Sequence, residues 1–311
     1  MIQEYALEPA LVATWTDRRD ARYFAESFGI GRARLVSRFP KRWRREVYDE
    51  ALSLNTTPMG RKRIEELLAR FSEHMVKRRC GHFDSKAGDW FENAMREHEQ
   101  RPFHAILARA NPKAHPEVLV GEDVSEESHP LWSAGSSRVV ERRAADMADA
   151  VAPVLRISSV ILFVDPYFSP AERRYRRTLA AFLHAAATAR PGGPPERIEV
   201  LLSSEHSGTE RFFRQVCGQL SRCVPSGLQV VLRRLAEKPD GEKLHNRYVL
   251  TDLGGMEFGV GLDEGNRGQT DDLTLLGRTA YGLRWSQYSG EPPRSFSQEG
   301  DPVTVNGSAE A

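Results

Sequence analysis

Residues Lys243 to Asp263, KLHNRYVLTDLGGMEFGVGLD, place His245, Arg247 and Asp252 in an H-x-R-x-x-x-x-D spacing and then run onto Gly259-Val260-Gly261-Leu262-Asp263. In an extended strand side chains alternate faces, so His245 and Arg247 project to the same side, about 7 Å apart along the chain. An imidazole beside a fixed cation suits a phosphate ester: the ring attacks or binds, and the guanidinium meets the phosphoryl charge. The glycine-marked turns are expected to let the backbone approach whatever the pair holds. A half-buried histidine at a strand start, hydrogen-bonded to backbone, is the plainer alternative. Arg247 likewise reads either as a phosphate contact or as an ion-pair partner of Asp252 or Asp263.

Other candidates flank this stretch. Asp165, in Val164-Asp165-Pro166-Tyr167, ends an apolar strand, where a functional acid and an ordinary Asp-Pro turn starter are both reasonable. Tyr167 and Phe168 read as pocket lining or as core. His206, in Ser203-Ser204-Glu205-His206-Ser207-Gly208, follows a second apolar strand and is placed to reach the same rim as His245. Asp263-Glu264 and Asp271-Asp272 add carboxylates: paired acids can hold a metal, a charged, solvated loop is the plainer reading, and Asp263 is a candidate substrate contact. Near the N-terminus, Arg32, Arg34, Arg38, Lys41, Arg42, Arg44 and Arg45 fall in a stretch without acids, with Phe39 and Trp43 among them. Arginines neutralise phosphates and rings stack on bases, so Arg38, Lys41, Arg42, Arg44 and Arg45 are candidate nucleic-acid contacts. The alternative is a solvated helix face balanced by the acids from Glu46 to Glu50. Cys80-x-His82 has the start of a zinc spacing, but no matching second pair follows.

The elements that must position these residues follow from periodicity. At 311 residues and 40% hydrophobic composition the chain has material for one large or two ordinary domains, and a formal net charge of +1 implies no global polyanion-binding field. It contains neither an 18-residue apolar run nor a signal peptide's apolar core, so a cytoplasmic protein without a transmembrane segment is expected. Residues 1–125 read as a mainly helical basic region, with helices over Thr16–Phe28, Arg61–Arg79 and Trp90–Leu107. Residues 111–135 lose periodicity and are expected to be a linker. Residues 126–288 read as an α/β domain. Its helices fall at Val139–Leu155, Pro170–Ala189 and Thr209–Ser221. Its strands fall at Ser158–Val164, Ile198–Leu202, Leu228–Leu232, Tyr248–Thr251 and Met256–Val260, the last two forming a hairpin. Functional groups are expected at the strand ends. Residues 289–311, rich in Ser, Gly, Pro and Glu, are expected to be a flexible tail.

The spacing from His245 to Asp263 resembles that of the phospholipase-D-like superfamily, H-x-K-x-x-x-x-D followed by G-S-x-N. Arg247 stands for the lysine, Gly259 for the glycine, and Val260 and Leu262 replace the serine and asparagine. This is most similar to the divergent subgroup typified by the C-terminal phospholipase-D-like domain of MIT-domain proteins. Val160–Phe168, VILFVDPYF, is similar to the strand that opens that domain. The resemblance spans residues 130 to 290 and implies a phospholipase-D-like mixed-sheet sandwich. It makes His245 the nucleophile, Arg247 the phosphate clamp, and Asp252 the hydrogen-bonding partner of the ring or a structural acid. It implies no cofactor and asks for a second histidine, from His206 or from the partner in a homodimer. The function implied is metal-independent phosphodiester cleavage, with nucleic acid the favoured substrate. Proteins of this build resemble components of bacterial defence and DNA-processing loci. The alternatives are a non-catalytic phosphate-recognition module for nucleic acid or lipid, and a structural subunit of a larger complex.

Overall fold

The computed structural model describes residues 2–73, 75–78, 83–121, 123–124, 129–133 and 135–308. Cys80 and His82 lie outside the described residues. The chain divides into two compact units, residues 2–135 with 191–193, and residues 136–190 with 194–311.

The N-terminal unit contains helices α1 (Pro9–Val12), α2 (Arg18–Ser27), α3 (Trp43–Ser53), α4 (Pro58–Ser72) and α5 (Trp90–Gln100). Threaded between them are strands β1 (Gln3–Leu7), β2 (Arg34–Val36), β3 (Ala105–Leu107) and β4 (Val118–Leu119), a parallel sheet in the order β2-β1-β3-β4. Strand alternation sorts its faces. Tyr5, Leu7 and Leu107 pack with Phe24, Trp43, Leu67 and Phe71, whereas Ala6 and Ile106 pack with Ala94 and Met95 of α5. The expected helices are present, but two end early. The one read over Arg61–Arg79 stops at Ser72, and the one read over Trp90–Leu107 stops at Gln100 ahead of Pro102, with Ala105–Leu107 forming β3 instead. The sheet was not legible, because its outer strands are only two or three residues long. The segment expected to be a linker is part of the unit: it supplies β4, and Val124 and Trp132 are buried in the core. Val118, Leu119, Val124 and Trp132 pin it, and the polar composition around them hides them.

The second unit is built on one mixed sheet with helices between its strands. The strands are β5 (Ser137–Glu141), β6 (Val160–Val164), β7 (Arg197–Ser203), β8 (Gln229–Glu237), β9 (Arg247–Thr251), β10 (Gly254–Phe258), β11 (Thr270–Leu275), β12 (Phe296–Gln298) and β13 (Val303–Asn306). Their order is β12-β8-β7-β6-β9-β10-β11-β5, with β13 also paired to β8. β6, β7 and β8 are parallel, joined through α7 (Arg173–Ala187) and α8 (Glu210–Cys217), while β9, β10, β11 and β5 follow antiparallel. The buried parallel strands read as continuous apolar runs for that reason. Phe182 of α7 covers one face against Phe163 and Phe258. On the other face, α9 (Arg278–Tyr288) sets Tyr288 against Tyr248 and donates the Tyr281 hydroxyl to the Thr251 carbonyl at 2.7 Å.

Two expectations need correction. The helix read over Val139–Leu155 is strand β5 followed by α6 (Ala144–Ile157), since an apolar pattern running from Val140 to Met147 and Val151 conceals the break at Arg142-Arg143. Residues 289–308 are not a free tail. Phe296–Gln298 and Val303–Asn306 pair with β8, and Phe296 and Val305 bury their side chains. Backbone hydrogen bonds to an open sheet edge need little apolar sequence, which is why composition misled.

Candidate functional site

One edge of the large sheet gathers the carboxyl ends of β6, β7, β8 and β10 with the starts of β9 and β11. Because β9 runs antiparallel to β6 with Tyr248 opposite Val164, Arg247 lies beside Asp165. β7 ends alongside, which brings in His206.

The exposed part of this rim is a stack. The Tyr167 and His206 rings lie 4.5 Å apart at an interplanar angle of 25°, and the Arg247 guanidinium carbon sits 4.9 Å from the Tyr167 centroid. Tyr167, His206 and His245 are exposed, while Arg247 is half-buried. Arg247 Nε is buried without a hydrogen-bond partner, and among the described residues the side chain makes no ion pair. Its guanidinium lies over the face of Tyr167, and its charge acts on the buried Asp165. Such an arginine is oriented by stacking and keeps its hydrogen-bonding capacity for something else.

Below the stack lies a buried layer of carboxylates. Asp165, 1% exposed, accepts from Tyr167 N–H at 2.9 Å and from Leu262 N–H at 2.8 Å. Burial pushes its carboxyl above the usual range against those two bonds and the Arg247 charge. Asp271 accepts from Val260 N–H at 3.1 Å, its second oxygen is unpartnered, and burial raises it too. Asp263, also buried, is clamped by Arg142 at 2.6 Å and Arg174 at 3.0 Å. A Cβ on Gly261 would sit 2.6 Å from Asp263 Oδ1, an atom these arginines prevent from yielding.

This arrangement corrects several expectations. The glycine-marked loop does bring backbone close to an acceptor, but its N–H groups at Val260 and Leu262 are bonded to Asp271 and Asp165, not left for a ligand. Asp165 and Asp263 are therefore scaffold, not substrate contacts. Asp252 is separated from Arg247 by the whole length of β9, about 17 Å at strand rise. It accepts from Ser159 N–H and Val160 N–H at 2.9 and 3.0 Å, fastening the start of β6, so it is a structural acid and no partner for His245. The acid beside His245 is Glu237 at the end of β8. It accepts from Lys243 Nζ at 2.6 Å and Leu244 N–H at 2.9 Å, and these groups, with the His245 charge, hold its carboxyl below the usual range. Glu237 was missed. Its signal was a carboxylate at the carboxyl end of a parallel strand. Arg142 and Arg174 were missed as well, their partner being too far along the chain for spacing to reveal.

In the N-terminal unit, Arg38, Lys41, Arg42, Arg44 and Arg45 are all exposed. Phe39 and Trp43 are core residues, with Trp43 Nε1 donating to the Leu7 carbonyl at 2.6 Å, so neither is a stacking platform. Arg34 is held by the Trp132 and Ser27 carbonyls over the Trp132 ring. His98, His115 and Glu117 bring ligand-type atoms within 4.8 Å of one another. However, His98 Nδ1 accepts from Phe103 N–H, which places the ring proton on Nε2, where it donates to Glu117 at 2.5 Å. That tautomer leaves His98 no lone pair for a metal.

No helix among the described residues is long and apolar enough to cross a membrane. No protein-family model matches the chain, and no curated protein matches it significantly.

Proposed function

We propose that the C-terminal unit is a phospholipase-D-like phosphodiesterase acting on nucleic acid without a metal. The observation that supports it is the Arg247–Tyr167–His206 stack on the rim that carries His245, which collects two imidazoles and an uncommitted guanidinium in one chain. In this reading His245 attacks phosphorus, the P–O ester bond breaks, and His206 gives its proton to the leaving oxygen. Arg247 meets the charge on the phosphoryl oxygens. Water then attacks the phosphohistidine, its proton passing to His206, and His245 is released. Glu237, by fixing the segment before His245, orients the nucleophile. If His206 does not serve, the second imidazole comes from a homodimer partner.

The separation of Asp252 from His245 favours a second reading, a module that recognises phosphodiesters without cutting them. Labelled single- and double-stranded DNA and RNA incubated in EDTA decide between them. Cleavage by the wild type, none by His245→Ala and a loss of at least 100-fold in His206→Ala are the expected results. Binding without cleavage leaves the recognition module. Neither overturns both.

A further inference from the structure

The N-terminal unit carries a second feature that the rim does not use. Between residues 38–48 and α4 lies a groove of about 520 Å³ lined by Arg38, Lys41, Arg42, Arg44, Arg45 and Tyr48, with Glu65 and Leu68 of α4 on its other wall. Its composition follows from how α3 is anchored. Trp43, Val47 and Ala51 recur every four residues and are fully buried, so Arg44 and Arg45 must face outward. Arg38 Nε donates to the Lys41 carbonyl at 2.9 Å, which holds the approach to the helix. Arg45 pairs loosely with Asp49 at 3.5 Å, on the surface. Arg38, Lys41, Arg42 and Arg44 make no ion pair among the described residues. Five cations share the recess with Glu65, with Asp49 against Arg45 and Glu46 near Arg42, which leaves a local excess of positive charge on a chain whose formal net charge is +1.

A neighbouring groove shows that this is not simply how arginines lie on the unit. Between α2 and α4, about 610 Å³ is lined by Arg18, Arg22, Arg63 and Arg70. There Arg22 is bonded to Glu26 at 2.9 Å and Arg63 to the Thr16 carbonyl at 3.0 Å, with Glu66 in the wall. Half of its cations are already engaged.

We infer that the groove between α3 and α4 binds single-stranded nucleic acid, with phosphates on the arginines and a base against Tyr48. The recess favours a strand. A duplex is read by an element projecting into its groove, and a lipid surface is met by a flat or convex face. Tyr48, half-buried in the wall, supplies the ring that a base needs, the role Phe39 and Trp43 cannot fill. The inference goes beyond the rim and stands whether or not the rim cuts.

The test is fluorescence anisotropy of the whole chain with labelled 20-mer DNA and RNA in EDTA, between 50 and 200 mM KCl. Five phosphate contacts give a slope of log Kobs on log salt of about −3.5, and Arg42→Ala/Arg44→Ala reduces its magnitude by about 1.4. That double variant, with melting unchanged, is expected to bind about tenfold more weakly at 100 mM salt. Arg42→Lys/Arg44→Lys recovers most of the loss, and Tyr48→Leu loses about tenfold without changing the slope. Cleavage of the same labelled strands in EDTA is read separately, so a failure at this groove is told apart from a failure at the rim. Arg18→Ala/Arg70→Ala has little effect. Unchanged affinity in the Arg42/Arg44 alanine variant, an equal loss in the Arg18/Arg70 control, or preference for duplex or for phosphatidylserine vesicles overturns the inference.

Discussion

Arg78 in the N-terminal unit and Arg247 in the C-terminal unit both lie over an aromatic face, 3.7 Å from the Phe103 centroid and 4.9 Å from that of Tyr167. They differ in everything else. Arg78 is buried, holds Glu4 bidentately at 2.8 and 2.9 Å, binds Glu97 at 2.7 Å, and donates to the Arg101 carbonyl at 2.7 Å. Burial pushes the Glu97 carboxyl up, and the bonds from Arg101 and Arg78 outweigh it and bring it below the usual range. Arg247 has a buried Nε with no acceptor and no ion pair among the described residues. An arginine whose donors are used up is part of the fold, whereas one that stacking orients and leaves unsatisfied is a functional candidate.

The sharpest way to break this comparison is to truncate both. Arg78→Ala leaves Glu4 buried without its cation and strips one partner from Glu97, and a loss of about 3–5 kcal/mol is expected in urea unfolding. Arg247→Ala gives up a stacking contact of about 0.5–1 kcal/mol and its charge beside Asp165, which two backbone N–H groups still hold, and it removes an unsatisfied donor, so its stability should stay within about 1 kcal/mol of the wild type. Its cost should fall on phosphodiester binding or cleavage instead. Equal losses of stability would show that Arg247 is structural after all.

The contrast also explains what could be read in advance. His245, Arg247, Tyr167 and His206 were legible because each sits at a strand end, and strand ends follow from apolar runs bounded by turn residues. The mixed sheet was legible for the same reason. The roles of Asp165, Asp252 and Asp263 were not. A carboxylate in a loop looks the same in sequence whether it faces a ligand or a backbone N–H, and the arginines that hold Asp263 precede it by 121 residues in one case and 89 in the other. The basic run at 38–45 was legible as charge, but which of its aromatic residues face outward depended on the anchoring of α3.

Gly261→Ala sharpens the comparison by disturbing the scaffold of the rim and none of its exposed groups. The new Cβ would meet Asp263 Oδ1 at 2.6 Å while Arg142 and Arg174 hold that carboxylate in place. Overpacking of this kind costs about 1–3 kcal/mol. Thermal melting should show that loss, and binding at the rim should fall with it, because Leu262 N–H would be pulled from Asp165. A Gly261→Ala protein as stable as the wild type would mean that the carboxylate layer is slack and does not position the stack.

The smallest effect is expected at Asp271, and its sign is opposite. Burial raises this carboxyl from the ordinary 3.8, so the folded protein holds the proton more tightly than the unfolded chain does. The stability contributed by that proton is complete below the unfolded value and is lost as pH rises through the folded one. Asp271→Asn keeps an oxygen for the Val260 N–H and places an uncharged group where the second, unpartnered oxygen now lies. The variant should therefore match the wild type near pH 4 and gain on it as pH rises, by no more than about 1 kcal/mol at pH 7. Asp165→Asn should not behave this way, because both Asp165 oxygens accept backbone N–H groups and an amide must abandon one of them. Melting curves of the two variants between pH 4 and 8 separate the cases. If Asp271→Asn fell further behind the wild type as pH rose, Asp271 would be an ionised partner of Arg142, and the layer under the rim would be as fully paired as the cluster around Arg78.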